Sequence, residues 1–248
     1  MFYFDEINHK KILKSDYLTC VQHFFTTRES VVEQRDLPEL KDLCVENIEI
    51  ISRYLKINKK NIICPTQTHS SNIKIAKSAQ LYPDTDSLIV EDNDIAILLN
   101  FADCTPVILY DNANNIGAVV HAGWRGTASS IVPKTISLMQ SRYSTNIQDI
   151  TAVIGPAISA ANYQVNRDVC DALRTTLNGE YTDCFFYDSI NNKYNVDLKT
   201  INYYQLRELG IERIDKCKYC TYDSNDIFFS YRKENGKTAR HSAILKLN

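Results

Sequence analysis

Between Asp86 and His121 the chain carries four apolar runs separated by little more than turns: Asp86–Val90, Ile95–Ala102, Val107–Tyr110 and Ile116–His121. Each is short and bounded by polar, turn-forming residues, the pattern of buried strands. Asp111-Asn112-Ala113-Asn114-Asn115 supplies the turn between the last two, because Asn and Asp side chains bond back to the local backbone. Strands spaced this closely must pair with one another or pass between sheets, and helices flank them on both sides. Before them, Leu43, Cys44, Ile48, Ile51 and Leu55 keep helical spacing and predict an amphipathic helix over Leu40–Leu55. After Gly126 a helix is expected to run to about Tyr143, with Ile131, Thr135, Leu138 and Met139 on one side. Pro133 restricts its start, since proline is tolerated only in the first turn or at a kink.

The remaining segments continue the alternation. Short strands are expected within residues 2–26, at Asn61–His69 and Ile73–Ala76, and at Ile150–Ile154, which ends in Gly155-Pro156. Helices are expected at Arg167–Leu177 and Leu198–Leu209, the second stopped by Gly210 as a C-cap. Strands at Arg213–Lys216, Ile227–Tyr231 and Ala243–Leu247 close the chain. The class is mixed α/β. There is no repeat and no Pro/Gly/Ser-rich linker, so residues 1–248 read as one domain. A chain of this length buries roughly 70–75% of its unfolded surface and needs no disulfide staples. The acidic start, Met1-Phe2-Tyr3-Phe4-Asp5-Glu6, does not resemble a signal peptide, and no apolar run reaches membrane-spanning length. A cytoplasmic monomer is expected, with its eight cysteines as reduced thiols. The net charge of −2 argues against nucleic-acid and membrane partners.

Three residues stand out chemically. Cys104 follows the run Ile95–Leu99 in Ala102-Asp103-Cys104-Thr105-Pro106; His121 ends the run Ile116–Val120 and opens His121-Ala122-Gly123-Trp124-Arg125-Gly126; His69 follows Ile62-Ile63-Cys64. If their strands are neighbours the three converge, and two imidazoles with a thiolate make a zinc ligand set that leaves a fourth position for water. Asp103 is costly to bury unpaired and reads as a structural anchor beside the metal. Gly123 and Gly126 permit a tight turn and close backbone approach, and Arg125 adds a donor suited to phosphate. Cys217-Lys218-Tyr219-Cys220 lacks the second pair of a structural zinc site and reads as structural. His23 reads as a packed residue, and His9 and His241 as residues in polar, terminal settings.

Gln67-Thr68-His69, Ala102-Asp103-Cys104-Thr105-Pro106, His121-Ala122-Gly123-Trp124-Arg125-Gly126, Gly155-Pro156-Ala157-Ile158, Asp197-Leu198, Cys220-Thr221 and Phe229-Ser230-Tyr231-Arg232 occur in the order found in the laccase-domain family. The chain resembles that family, whose members are also called polyphenol oxidoreductases or purine nucleoside phosphorylases, from about Val21 to the C-terminus. The resemblance implies a single α/β domain, with mixed β-sheets packed with helices in α/β/β/α-like layers. It implies a buried zinc site of His69, Cys104 and His121. It also implies phosphorolysis of adenosine, inosine and methylthioadenosine, with adenosine deamination beside it. The sequence departs from the family where Glu29-Ser30-Val31 replace a glycine pair, at Asn162-Tyr163-Gln164-Val165, and at Thr238-Ala239-Arg240.

The leading expectation is a zinc-dependent purine nucleoside enzyme in which Cys104, His121 and His69 are catalytic as metal ligands and Arg125 and Arg28 hold phosphate. A zinc-bound water ionises near neutral pH and serves attack on the purine ring. A metal-free Cys104–His121 hydrolase or deamidase is the second reading. A copper phenol oxidase is the third: one Cys and two His resemble a blue-copper set, but a multicopper enzyme needs more histidines than the five present. A peptidoglycan-precursor editing role is the fourth.

Overall fold

The structure, a computed structural model, describes residues 1–78 and 80–248. The chain opens with strands β1 (Phe2–Ile7), β2 (Lys10–Ser15) and β3 (Gln22–Thr26), followed by helix α1 (Lys41–Leu55). Two short strands, β4 (Ile62–Ile63) and β5 (Ile73–Ile75), lead into β6 (Ser87–Val90), β7 (Ala96–Phe101), β8 (Thr105–Asp111) and β9 (Ile116–Ala122). Helices α2 (Trp124–Ala128) and α3 (Ile131–Tyr143) precede β10 (Ile150–Ile154). After β11 (Gln164–Val165), α4 (Arg167–Arg174), β12 (Phe185–Asp188) and β13 (Lys193–Val196), the chain closes with α5 (Leu198–Glu208), β14 (Arg213–Lys216) and β15 (His241–Lys246).

Two six-stranded sheets result, ordered β1-β2-β3-β15-β7-β4 and β14-β10-β8-β9-β6-β5, with a small β11-β13-β12 sheet beside them. Leu13, Phe25, Ile97, Leu99 and Leu245 of the first sheet pack on Leu88, Ile108, Val119 and Val153 of the second. Strands β6 to β10 are buried along their whole length because both faces of the sheets are covered there, as their unbroken apolar runs require. The outer face of the first sheet, with Phe24, Ala96 and Ile244, takes Ile50, Ile51 and Leu55 of α1. The outer face of the second takes Ile131, Ile136 and Met139 of α3 and Leu206 of α5. The layers are therefore α/β/β/α. A Cβ at Gly117 would lie 2.4 Å from Leu245 Cδ2, so a side chain at this point of β9 would have to displace that leucine of the facing sheet.

Several segments differ from the sequence reading for local reasons. The helix expected after Gly126 is two helices. α2 already contains Gly126, and the chain breaks at Ser129 and Ser130, where Ser130 has φ 56°; Pro133 then falls in the first turn of α3. The strand expected over Asn61–His69 is only Ile62–Ile63, and the rest is an irregular crossing between sheets. Ile227–Tyr231 forms no strand; its backbone closes turns, as in Phe228 N–H to Ser224 O, 2.9 Å. α5 is capped by Asp197, whose carboxylate accepts from Thr200 N–H, and ends before Gly210 at φ 91°. Among the described residues no helix is long and apolar enough to cross a membrane.

Candidate active site

Chain crossings between the two sheets build the site. β7 lies in the first sheet and β8 in the second, and only Ala102-Asp103-Cys104 joins them. That corner needs a left-handed residue, and Asp103 supplies it at φ 88°. Its carboxylate is satisfied by Thr221 Oγ1–H (2.7 Å) and Arg232 N–H (2.7 Å), and its carbonyl by Ile158 N–H (3.1 Å). Asp103 thus staples the Cys104 corner to three distant segments. His69 lies in the other crossing, between β4 and β5, also left-handed at φ 63°. A non-glycine residue in that conformation costs about 1–2 kcal/mol, so the surrounding contacts must hold it. His121 sits near the end of β9, paired with Pro106 of the adjacent β8.

These three residues converge: one ligand atom each from His69, Cys104 and His121 lie within 4.8 Å of one another. His121 is 4% exposed and its Nδ1 is 2.7 Å from Asp86 Oδ1, with Asp86 fully buried. His121 Nε2 is then the atom left for the centre. A Cβ on Gly123 would come within 3.0 Å of Cys104 Sγ and 3.1 Å of His69 Cδ2, so the glycine leaves the space that the ligand set occupies. Burial alone would raise the Cys104 thiol, yet His121 and His69 beside it outweigh that and favour the thiolate. Burial would lower His121, and the charges of Cys104 and Asp86 outweigh it in turn, favouring a protonated ring in the metal-free protein. Burial also works against the Asp86 carboxylate, but hydrogen bonds from His121 and Ser70 hold it well below the usual carboxylate range. A thiolate and two imidazoles, closely spaced and backed by a carboxylate, fit zinc, and copper is the alternative such soft and borderline donors accept.

The cluster lies at one side of a cavity of about 450 Å³. Its walls carry Tyr163 and Tyr231, the amides Gln67 and Asn100, and three arginines, Arg35, Arg232 and Arg240. Gln67 is already engaged, its side chain pairing with the Asn100 backbone through two 2.8 Å bonds. Arg240 is 8% exposed and bonds the carbonyls of Thr238 and Ala239. The Arg232 guanidinium lies 5.3 Å from the Tyr163 ring centre. Burial pushes the Tyr163 phenol up, with the Cys104 charge adding to it, so it stays protonated.

Neither of the two arginines expected to hold phosphate lines this cavity. Arg28 bonds Glu234 at 2.7 Å and the Asn225 carbonyl, and stacks on Phe229 at 4.3 Å. Arg125 is exposed and lies over Trp124 at 4.4 Å, outside the cavity lining. His241, read as terminal and polar, is fully buried between Phe101 and Phe228. Cys217 and Cys220 are buried; Cys220 Sγ accepts from Ser159 N–H at 3.2 Å. The residue that sequence reasoning missed is Asp86. Its only signal was a carboxylate placed at the head of an apolar strand, where an unpaired charge is not tolerated.

The sequence matches the profile of the multi-copper polyphenol oxidoreductase laccase family over residues 22–248. The chain belongs to this family. It is 30% identical over 242 residues to the purine nucleoside phosphorylase YlmD of Bacillus subtilis, covering 89% of this chain and 86% of that protein. It is 32% identical over 213 residues to the purine nucleoside phosphorylase YlmD of Geobacillus stearothermophilus, covering 81% and 77%. The crystal structure of the Bacillus licheniformis hypothetical protein YfiH superposes with TM-score 0.88 at 27% identity over 99% of both chains. That of YlmD from Geobacillus stearothermophilus superposes with TM-score 0.87 at 25% identity, over 99% of this chain and 98% of that one. In this member of the laccase family His69, Cys104 and His121 form one group that could hold a metal ion. Among the described residues no other group of three His, Cys, Asp or Glu side chains is so arranged.

Proposed function

We propose that this chain is a zinc-dependent purine nucleoside phosphorylase acting on adenosine, inosine and methylthioadenosine, with adenosine deamination as a side activity. The observation that carries this reading is the His69–Cys104–His121 set beside a cavity walled by two tyrosines and three arginines. The names of the relatives support it. In phosphorolysis a phosphate oxygen bonds to ribose C1′ as the bond to the purine nitrogen breaks, and the base leaves with a proton. Tyr163 and Tyr231 present aromatic surface for the base. Arg35, Arg232 and Arg240 are the cations that face the cavity, and the phosphate role falls to them in place of Arg28 and Arg125. Planar guanidinium groups suit phosphate because they donate in pairs. A bound zinc supplies Lewis acidity and, for deamination, hydroxide at neutral pH.

The test is product analysis with inosine and inorganic phosphate, before and after chelation. Hypoxanthine and ribose 1-phosphate should appear only with phosphate present and should vanish with the metal. Arg232→Ala should raise the KM for phosphate about tenfold or more, a loss of one charged contact worth roughly 1.5–3 kcal/mol, while Arg125→Ala should change it less than twofold. Base release that ignores phosphate overturns the phosphorylase reading.

One observation favours a second reading. Asp86, His121 and Cys104 stand in the order of a carboxylate–histidine–thiol hydrolase, with the acid orienting the base. Iodoacetamide separates the two readings. Slow labelling of Cys104 that becomes fast after chelation supports the metal. Labelling that is equally fast in both, with activity untouched by complete metal removal, supports the hydrolase.

A further inference from the structure

We infer that Asp86 is the positioning residue of the metal centre: one buried carboxylate fixes both histidine ligands, His121 through its ring and His69 through its backbone, before any metal arrives. The inference rests on the metal reading above. Asp86 Oδ1 lies 2.7 Å from His121 Nδ1 and accepts from His69 N–H at 3.1 Å. Asp86 Oδ2 accepts from Ser70 N–H and Ser70 Oγ–H, each at 2.7 Å, and from Thr68 N–H at 3.2 Å. The Asp86 carbonyl, in addition, takes the His121 N–H at 2.8 Å.

The logic is one of donors and acceptors. Three of the partners are backbone N–H groups, which only donate. The oxygens they face must accept, so the fifth partner, His121 Nδ1, must carry its proton toward Asp86. Nε2 is then the nitrogen that faces Cys104 and His69, and the one that gives up its proton when a metal binds. The same Oδ1 holds the N–H of His69, whose left-handed backbone is otherwise unfavourable. Asp86 has no free lone pair directed at the cavity and does not line it; it acts through the two histidines. Carboxylates behind metal-bound histidines typically account for 10–100-fold in metal affinity.

Asp86→Asn tests this, because it keeps the shape while reversing the relation to His121 Nδ1 and removing the acceptor for His69 N–H. An amide nitrogen at the Oδ1 position loses only the His69 N–H bond, whereas at the Oδ2 position it would lose those of Thr68 and Ser70, so it faces His121 Nδ1. The amide therefore drives the His121 proton to Nε2, against the metal. Zinc affinity, measured with zinc alone by competition with a chelating dye, should fall about 10–100-fold. Ser70→Ala, which removes one bond to Oδ2 and touches neither histidine, should change it less than threefold. Nitrogen-15 spectra of the unaltered metal-free protein should show His121 protonated at Nδ1, whatever Asp86→Asn does to folding. His121 found with its neutral form protonated at Nε2, or zinc affinity in folded Asp86→Asn within twofold of the parent, overturns the inference. Failure of the unaltered protein to bind zinc at all overturns the metal reading itself and is seen before any substitution is made.

Discussion

At the scale of single residues, the site depends on what Gly123 lacks as much as on what the ligands supply. Gly123 has φ −69° and ψ 173°, extended values that any residue adopts, so an alanine there brings no backbone strain. Its Cβ, however, would press on Cys104 Sγ and His69 Cδ2 at 3.0 and 3.1 Å. Gly123→Ala should therefore leave the unfolding midpoint of the metal-free protein nearly unchanged while lowering zinc affinity about tenfold, the low end of what displaced metal surroundings cost. Chelator competition on the purified variant checks this, and an unchanged affinity would show that the ligands shift freely. Arg28 is set apart from the cavity arginines by its own partners. A guanidinium that already stacks on a ring and bonds a carboxylate, as Arg28 does, has few donors left for a ligand.

At the scale of elements, the decisive feature is the three-residue corner between β7 and β8. Two sheets stacked about 10 Å apart can be joined so briefly only by a sharp left-handed turn, and Asp103 makes it while its carboxylate holds Thr221 and Arg232. Asp103→Asn should be mild. Asn tolerates positive φ, its oxygen can take the Arg232 N–H, and its amide can donate to a rotated Thr221 hydroxyl. Asp103→Ala loses two hydrogen bonds to a charged group, each worth about 1.5–3 kcal/mol, and puts a Cβ without compensation at φ 88°. Urea unfolding should rank the two clearly, with Ala costing about 3 kcal/mol or more and Asn less than half of that. Equal costs would mean that the corner is held by packing and not by the carboxylate.

At the scale of the whole molecule, stability should carry a signature of the histidines that the double-sheet core has buried. His23 is pushed down to about 4 by burial, with the Lys14 charge adding to it, and its Nε2 accepts from Ser15 N–H. His241, inside the core, is pushed down to about 3 by burial. Above pH 6.5 each ring is neutral in both folded and unfolded chains, and no penalty exists. As pH falls from 6.5 toward 4, the unfolded chain takes up protons that the folded chain refuses, so stability is lost through that window. For His23 the full loss is on the order of 3 kcal/mol. His23→Gln keeps an acceptor for Ser15 N–H and removes the titration. Its unfolding free energy should vary less steeply than the parent's between pH 6.5 and 4, and parallel curves would show that His23 protonates readily in the folded state.

The alternation of short apolar runs with helical stretches determined the class and nearly every strand from β6 to β10, because a strand buried on both faces must be apolar throughout its length. The spacing of Ile131, Thr135 and Met139 likewise marked α3, and Gly210 marked the end of α5. The ligand types at positions 69, 104 and 121 were legible as chemistry, since few roles need two imidazoles and a thiol beside turns. What they do together was not legible. Convergence depends on two crossings between sheets, and nothing local in Ala102-Asp103-Cys104 says that the strands on either side belong to different sheets. Asp86, Arg35 and Arg240 carry no periodicity and no motif spacing that marks them. Their roles arise from neighbours distant in the chain, such as the 35 positions between Asp86 and His121, and partners so far apart in sequence are chosen only when the layers close.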